Sequence, residues 1–333
     1  MKKVSSGIKT ADKVFHVATG IAASSPVLFL LAIAAVVVVQ SIPSIRLMGW
    51  HFITGIEWNV GNTYGALMHK NGVTAAAGAS FGALPFIIGT LASSVIALMI
   101  AIPVALFTAL ILAYRLHGWV QWIVSILVEL LAGIPSVVIG LWGMVVLAPF
   151  VAHGLGPVLT HVGVLIPYFR GPVGTGMGLL TSGIVLAVMV VPIITATTRD
   201  LLQQVPVLYR EGGIGLGMTT WEVVRYIAVP YIREGFIGAI ALGWGRAMGE
   251  TMAVLMVSGN AINFLPHNLY SPISSMAAVI ASQLDSAMSD GSGMAVHALS
   301  ELALVLLGLT LLTNLLARLL VSRTHHRRQG VRA

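Results

Sequence analysis

Residues 84–113 read LPFIIGTLASSVIALMIAIPVALFTALILA, thirty positions without one Asp, Glu, Lys or Arg. A helix rises 1.5 Å per residue, so about 20 apolar residues cross the hydrocarbon core of a bilayer. The stretch therefore predicts a transmembrane helix. Working outward, further apolar runs lie at about 21–41, 134–151, 177–198, 235–258 and 295–321. Together they predict an all-α, polytopic membrane protein with six transmembrane helices. Composition agrees. Of 333 residues, 57 % are hydrophobic and 9 % charged, and the mean hydropathy is +0.94. A soluble domain carries about 25 % charged residues, and a disordered chain needs low hydrophobicity and high charge; both classes are excluded.

Basic residues set the expected orientation. With the N-terminus inside, 14 of the 18 Lys and Arg fall on the cytoplasmic side, three fall outside (Arg46, Lys70, Arg170), and Arg246 lies within a span. This is the positive-inside pattern, with both termini cytoplasmic (N-in, C-in). Lys2, Lys3, Lys9 and Lys13 precede the first run as they would in a signal peptide. The small-residue triplet Ala32-Ile33-Ala34 lies inside the run rather than after it, so the first helix is expected to stay uncleaved. The net charge of +7 needs no nucleic-acid partner; basic tails next to anionic membrane lipid account for it. Trp119–Leu131 reads as a short interfacial or kinked lead-in helix, with Pro135 opening the third span. The expected organisation is a tail, first helix and outer loop over 1–83, a core membrane domain of five spans over 84–321, and a basic tail over 322–333. A cytoplasmic loop, 199–234, interrupts the core, and a short outer helix is expected around Ser274–Leu284.

Cys is absent, which removes disulfides, thiolate nucleophiles and Cys-based metal sites. The ten His are scattered without metal-ligand spacing. Gly78-Ala-Ser80-Phe-Gly82 fits G-x-S-x-G but lacks the strand-to-helix context of a nucleophile elbow. No Gly-Lys pair occurs, so no phosphate-binding loop exists. The sequence thus predicts no catalytic residues, no metal and no cofactor, and an ATP-driven process would need its ATPase on another chain.

The loop 199–234 is neither a Pro/Gly linker nor a charge run. It contains Glu211-Gly-Gly-Ile-Gly-Leu-Gly217, nine residues, then Ile227-Ala-Val-Pro230. Thr219 or Thr220 can cap a helix beginning at Trp221, and Pro206 and Pro230 punctuate the ends. Two short helices at an angle are expected. Here the chain resembles the permease subunits of bacterial ABC importers of type I, whose cytoplasmic signature is Glu-Ala-Ala, three residues, Gly, nine residues, Ile, any residue, Leu, Pro. Glu211, Gly217, Ile227 and Pro230 match at full spacing; Gly212-Gly213 and Val229 depart from it. The resemblance implies that the loop docks into an ATPase subunit.

A narrower likeness runs from about residue 57 onward. Glu57-Trp58-Asn59, Phe81-Gly82-Ala83-Leu84-Pro85, Glu129-Leu-Leu-Ala-Gly-Ile-Pro-Ser136, Gly140-Leu-Trp-Gly143 and Gly245-Arg-Ala-Met-Gly-Glu-Thr251 resemble the permeases of the high-affinity phosphate importer, the C-type subunit more than its A-type partner. The resemblance implies a multi-pass protein of the bacterial inner membrane. It further implies assembly with an A-type permease, a dimer of ATPase subunits and an extracytoplasmic phosphate-binding protein. Permeases for molybdate or sulfate, and an ion-coupled secondary transporter, are the alternatives.

The residues themselves single out Arg246 and Glu250. On a continuous helix from about 235 to 258 they share one face, one turn apart, near the bilayer midplane. Arg at a helix centre costs about 2.5–3.5 kcal/mol, which marks it as a functional candidate. Arg presents a planar fork suited to phosphate oxygens, and Glu250 is expected to hold it when no anion is present. A buried ion pair fixing helix register is the alternative. Gly245 and Gly249 form a G-x-x-x-G that permits close helix approach. Glu301, with His297 a turn before it near the outer end of the sixth span, is a further pathway candidate or simply an interfacial residue.

Overall fold

The computed structural model describes residues 2–163 and 166–329. The tail 322–333 is thus described only as far as the helix that ends at Gln329, and Arg332 lies outside the described residues. Among the described residues, five helices are long and apolar enough to cross a membrane: Asp12–Met48, Leu84–Tyr114, Ser136–His161, Leu179–Gln203 and Met294–Leu319.

The expected span 235–258 is not one helix. A helix over Val229–Gly249 ends at Glu250, which is extended (φ −71°, ψ 127°), and a short helix resumes over Met252–Val257. The local chemistry favours a break: Gly249 weakens the last turn, and the Thr251 hydroxyl donates back to the Gly249 carbonyl (3.3 Å), competing with the helical ladder. The third span runs beyond its expected end at 151. His153, Gly154 and Gly156 lower the hydropathy without stopping the helix, which accommodates them with π turns over Gly143–Leu147 and Val151–Leu155. The lead-in is a separate helix, Gly118–Gly133, and Pro135 occupies the N-cap of the next helix rather than its first turn.

The fourth span, Leu179–Gln203, is the centre of the bundle: 72 % of its apolar window is buried, against none for the first helix. Ala97, Leu98 and Ala101 of the second span pack on its Leu186, Val190 and Ile194. Small residues set the close approaches, as lipid-embedded helices require. A side chain at Gly243 would stand 2.7 Å from Val190, and one at Gly140 would stand 2.9 Å from the backbone of Ala253. Gly143 seats against Val185 and Val257, which gives both glycines of Gly140-Leu-Trp-Gly143 a packing reason. The expected G-x-x-x-G does not act within the chain. A side chain at Gly249 would meet no atom within 4 Å, and Gly245 has only Asn314 at 4.0 Å.

The loop expected over 42–83 carries a departure from an all-helical fold. The first helix runs to Met48. Beyond it, β1 (Trp58–Asn59) pairs antiparallel with β4 (Ser80–Phe81), and β2 (Asn62–Lys70) pairs with β3 (Val73–Ala77). Asn71 and Gly72, at φ 55° and 73°, make the tight hairpin turn that an Asn-Gly pair favours. Trp58 sits edge-on against Phe52, Phe81 and Phe86, and the Asn263 side chain accepts from its backbone N–H. The expected outer helix forms over Met276–Met288, capped by Ser275.

Candidate functional site

The first five residues of the segment 199–234 complete the fourth span, and a helix over Val207–Gly215 follows. Gly217, at φ +85°, turns the chain, a conformation that glycine adopts without steric cost. Thr219 and Glu222 then form a reciprocal capping box: the Thr219 hydroxyl accepts from the Glu222 N–H, and the Glu222 carboxylate accepts from the Thr219 N–H at 2.7 Å. Those bonds from the Thr219 backbone and hydroxyl hold the Glu222 carboxyl below its ordinary pKa. The second helix does not stop at Pro230. Thr220–Val223 passes through a π turn at Val224–Ala228 directly into Val229–Gly249. Pro230 sits at the second position of that last stretch. A rigid lever therefore joins the loop to the broken fifth segment.

The signature positions take distinct roles. Glu211 is exposed. Gly213 is buried, and a side chain there would stand 2.7 Å from Ile227 Cδ1. The departure from Ala to Gly at 213 lets Ile227 seat on the first helix. Around this contact the outer surface is apolar: Leu208 is 78 % exposed and Leu216 83 %, with Trp221 and Tyr226 also open. Toward the bundle, Leu202, Val205, Ala228 and Ile232 pack together with Ala109. The Tyr114 hydroxyl donates to the Leu202 carbonyl (3.1 Å), and the Arg210 guanidinium lies 4.6 Å from the centre of the Tyr114 ring.

Arg246 is exposed in the last turn of Val229–Gly249, and Glu250, half-buried, is the residue at which that helix ends. The expected one-face pair on a continuous helix is corrected here. Because the backbone turns extended at Glu250, no ion pair joins the two; among the described residues the ion pairs are Asp12–His16, Glu129–Arg199 and Arg199–Asp200. Gly238, Leu242 and Gly249 are exposed along the same helix.

Glu301 is not part of that group. It is buried at 6 % exposure beside Ser44 of the first helix, and one of its carboxylate oxygens has no hydrogen-bond partner. One turn earlier, the His297 ring bonds the Gln40 carbonyl at 2.7 Å. Asn314, the last-helix residue opposite Gly245, is about 20 Å of helix rise away from Glu301. The Arg199 contacts with Glu129 (3.2 Å) and Asp200 (2.9 Å) tie Gly118–Gly133 to the fourth span. Sequence reasoning missed this cluster, since nothing local pairs residues 70 positions apart.

A bundle of apolar spans with a projecting, apolar-faced helical loop defines an integral-membrane transport subunit. The chain belongs to the family of binding-protein-dependent transport system inner membrane components, whose profile matches residues 101–326. It is 52 % identical, over 91 % of both chains, to the phosphate transport system permease protein PstC 1 of Mycobacterium bovis, and equally to that of Mycobacterium tuberculosis. It is 36 % identical to PstC of Haemophilus influenzae over 94 % of this chain and 93 % of that one. Among solved structures it is similar to a chain of the inward-facing MetNI methionine ABC transporter. That match has a TM-score of 0.50 and 16 % identity, and covers 72 % of this chain and 94 % of the other; it establishes the ABC permease fold.

Proposed function

We propose that this chain is the permease subunit of an ATP-driven ABC importer that carries inorganic phosphate into the cell. The observation that carries the proposal is an exposed guanidinium, Arg246, with no ion-pair partner among the described residues, beside a helix break on an open face of an apolar bundle. Lipid does not tolerate such a group cheaply, and interrupted backbone at membrane depth is accepted only where protein covers it or it lines a cavity. Both facts support a second, A-type permease subunit lying over Gly238, Leu242 and Gly249, with the path for the anion between the two chains. Relatives named for phosphate transport support the choice of anion.

In this reading phosphate arrives from an extracytoplasmic binding protein, and Arg246 offsets its charge in a site of low dielectric. Glu250, where the helix ends, competes for Arg246 and so favours release. Glu301 contributes by fixing the first helix against the last. A pair of ATPase subunits grips Leu208, Leu216, Trp221 and Tyr226. Their closure moves the lever that begins at Gly217 and ends at Glu250, through Ile227 and Pro230; Glu211, exposed on the first helix of the loop, meets the ATPase surface.

Permeases for other oxyanions share this logic, and competition separates them. With the assembled complex, uptake of labelled phosphate is expected to persist in a hundredfold excess of molybdate or sulfate and to stop with unlabelled phosphate. Inhibition by molybdate or sulfate at equal concentration reassigns the substrate.

A further inference from the structure

We propose that the cap formed by residues 47–80 holds a second anion site, for a phosphate group, distinct from Arg246: the cavity between the end of the first helix and the β2–β3 hairpin. Its volume is about 210 Å³, several times the ~30 Å³ share of a water molecule, so it has room for a tetrahedral oxyanion. Lys70, His51 and Ser80 supply its donors, and Leu47, Met48 and Met68 form an apolar wall.

No carboxylate lines the cavity. Among the described residues Lys70 has no ion-pair partner, and the Ser80 hydroxyl and His51 ring have no hydrogen-bond partner. Three donor groups therefore converge on one space with their capacity unused. The position is also held. The Asn71 side chain donates to the Arg46 carbonyl at 2.8 Å, which pins the hairpin turn, and Lys70 with it, to the end of the first helix. Arg46, exposed and next in sequence to the lining residue Leu47, is a nearby cation outside the lining. Two of the three basic residues that the charge count places outside thus meet at this corner.

The depth matches the chemistry. The first helix ends at Met48, a few residues past its apolar run, and Trp50, next in sequence to the lining residue His51, is 83 % exposed, as aromatic residues at the membrane–water interface are. A lysine ammonium is an effective point charge for phosphate oxygens. Two sources present that group at this level: the phosphodiester of an outer-leaflet lipid, and free phosphate waiting to enter the transporter.

The test uses the complete complex with its partner subunits but without binding protein. Native mass spectrometry reads retained phosphatidylglycerol, and equilibrium dialysis reads bound ³²P-phosphate. Lys70→Gln combined with His51→Gln is expected to lower one of the two at least fivefold. Lys70→Arg with His51 intact should preserve it, and Lys13→Gln, toward the opposite end of the first helix, should leave it unchanged. Loss of lipid identifies a headgroup site, and loss of ³²P identifies a site for the free ion. A wild-type complex that retains neither, or a double variant that retains both undiminished, overturns the proposal. Each ³²P measurement is repeated in an Arg246→Gln background, so that phosphate held by the pathway residue does not enter the comparison.

Discussion

Arg246→Gln is expected to reduce phosphate uptake at least tenfold in an otherwise intact complex, with the amount of assembled complex unchanged. The side chain is exposed on this chain, so its replacement opens no cavity, and Gln is nearly as good a helix former as Arg. What is lost is the charge. A hydrogen bond to a charged group is worth about 1.5–3 kcal/mol, and each ~1.4 kcal/mol is tenfold in rate, so a ten- to hundredfold loss follows. Arg246→Lys keeps the charge but not the fork and should fall between the two. Glu250→Gln should have the smaller effect, because no ion pair holds Arg246 in this conformation. A purely structural Arg246 would behave otherwise: the Gln variant would lose assembled complex in proportion to uptake.

Gly217→Val is expected to abolish association with the ATPase subunits, and uptake with it, while the chain still inserts in the membrane. A side chain at Gly217 would meet no atom within 4 Å, so no clash intervenes. The cost is conformational. At φ +85° a β-branched residue is a genuine outlier, and strain of this kind costs about 1–3 kcal/mol. The loop relieves it by changing the turn, which swings Val207–Gly215 away from the capped helix and unseats Ile227 from Gly213. Gly212→Ala is the control: it sits in ordinary helix, meets nothing within 4 Å, and should be neutral or slightly stabilising. Co-purification of ATPase subunits measures both. Wild-type recovery with Gly217→Val would show that the turn plays no part in coupling.

Much of this architecture is written in local sequence. Apolar runs located the spans because lipid imposes a length and a composition on each one. The Glu211–Pro230 spacing located the coupling loop because a turn between two short helices needs its glycine at one place. Other features depend on contacts that periodicity does not carry. Hydropathy averages over the break at Glu250, since Gly249 and Thr251 are both common inside apolar runs. The glycines that bring the fifth segment against the fourth are Gly235 and Gly243, not the more regular Gly245 and Gly249 pair; only the positions of Leu201, Val190 and Ile194 decide between them. Asn71-Gly72 is a hairpin signal in a stretch that the sequence otherwise presents as an outer loop. Glu301 and Arg246 are both ionisable groups in apolar helices, so sequence placed them together. The fold sends one between the first and last helices and the other to an open face.

The central claim is that residues 211–230 face the cytoplasm and meet an ATPase there. The natural absence of cysteine makes this directly measurable with a single introduced thiol, Leu216→Cys, at the most exposed apolar position of the loop. A membrane-impermeant maleimide is expected to leave it unlabelled in intact cells, to label it in inverted vesicles stripped of ATPase subunits, and to be blocked when those subunits are restored. Labelling in intact cells would contradict the account.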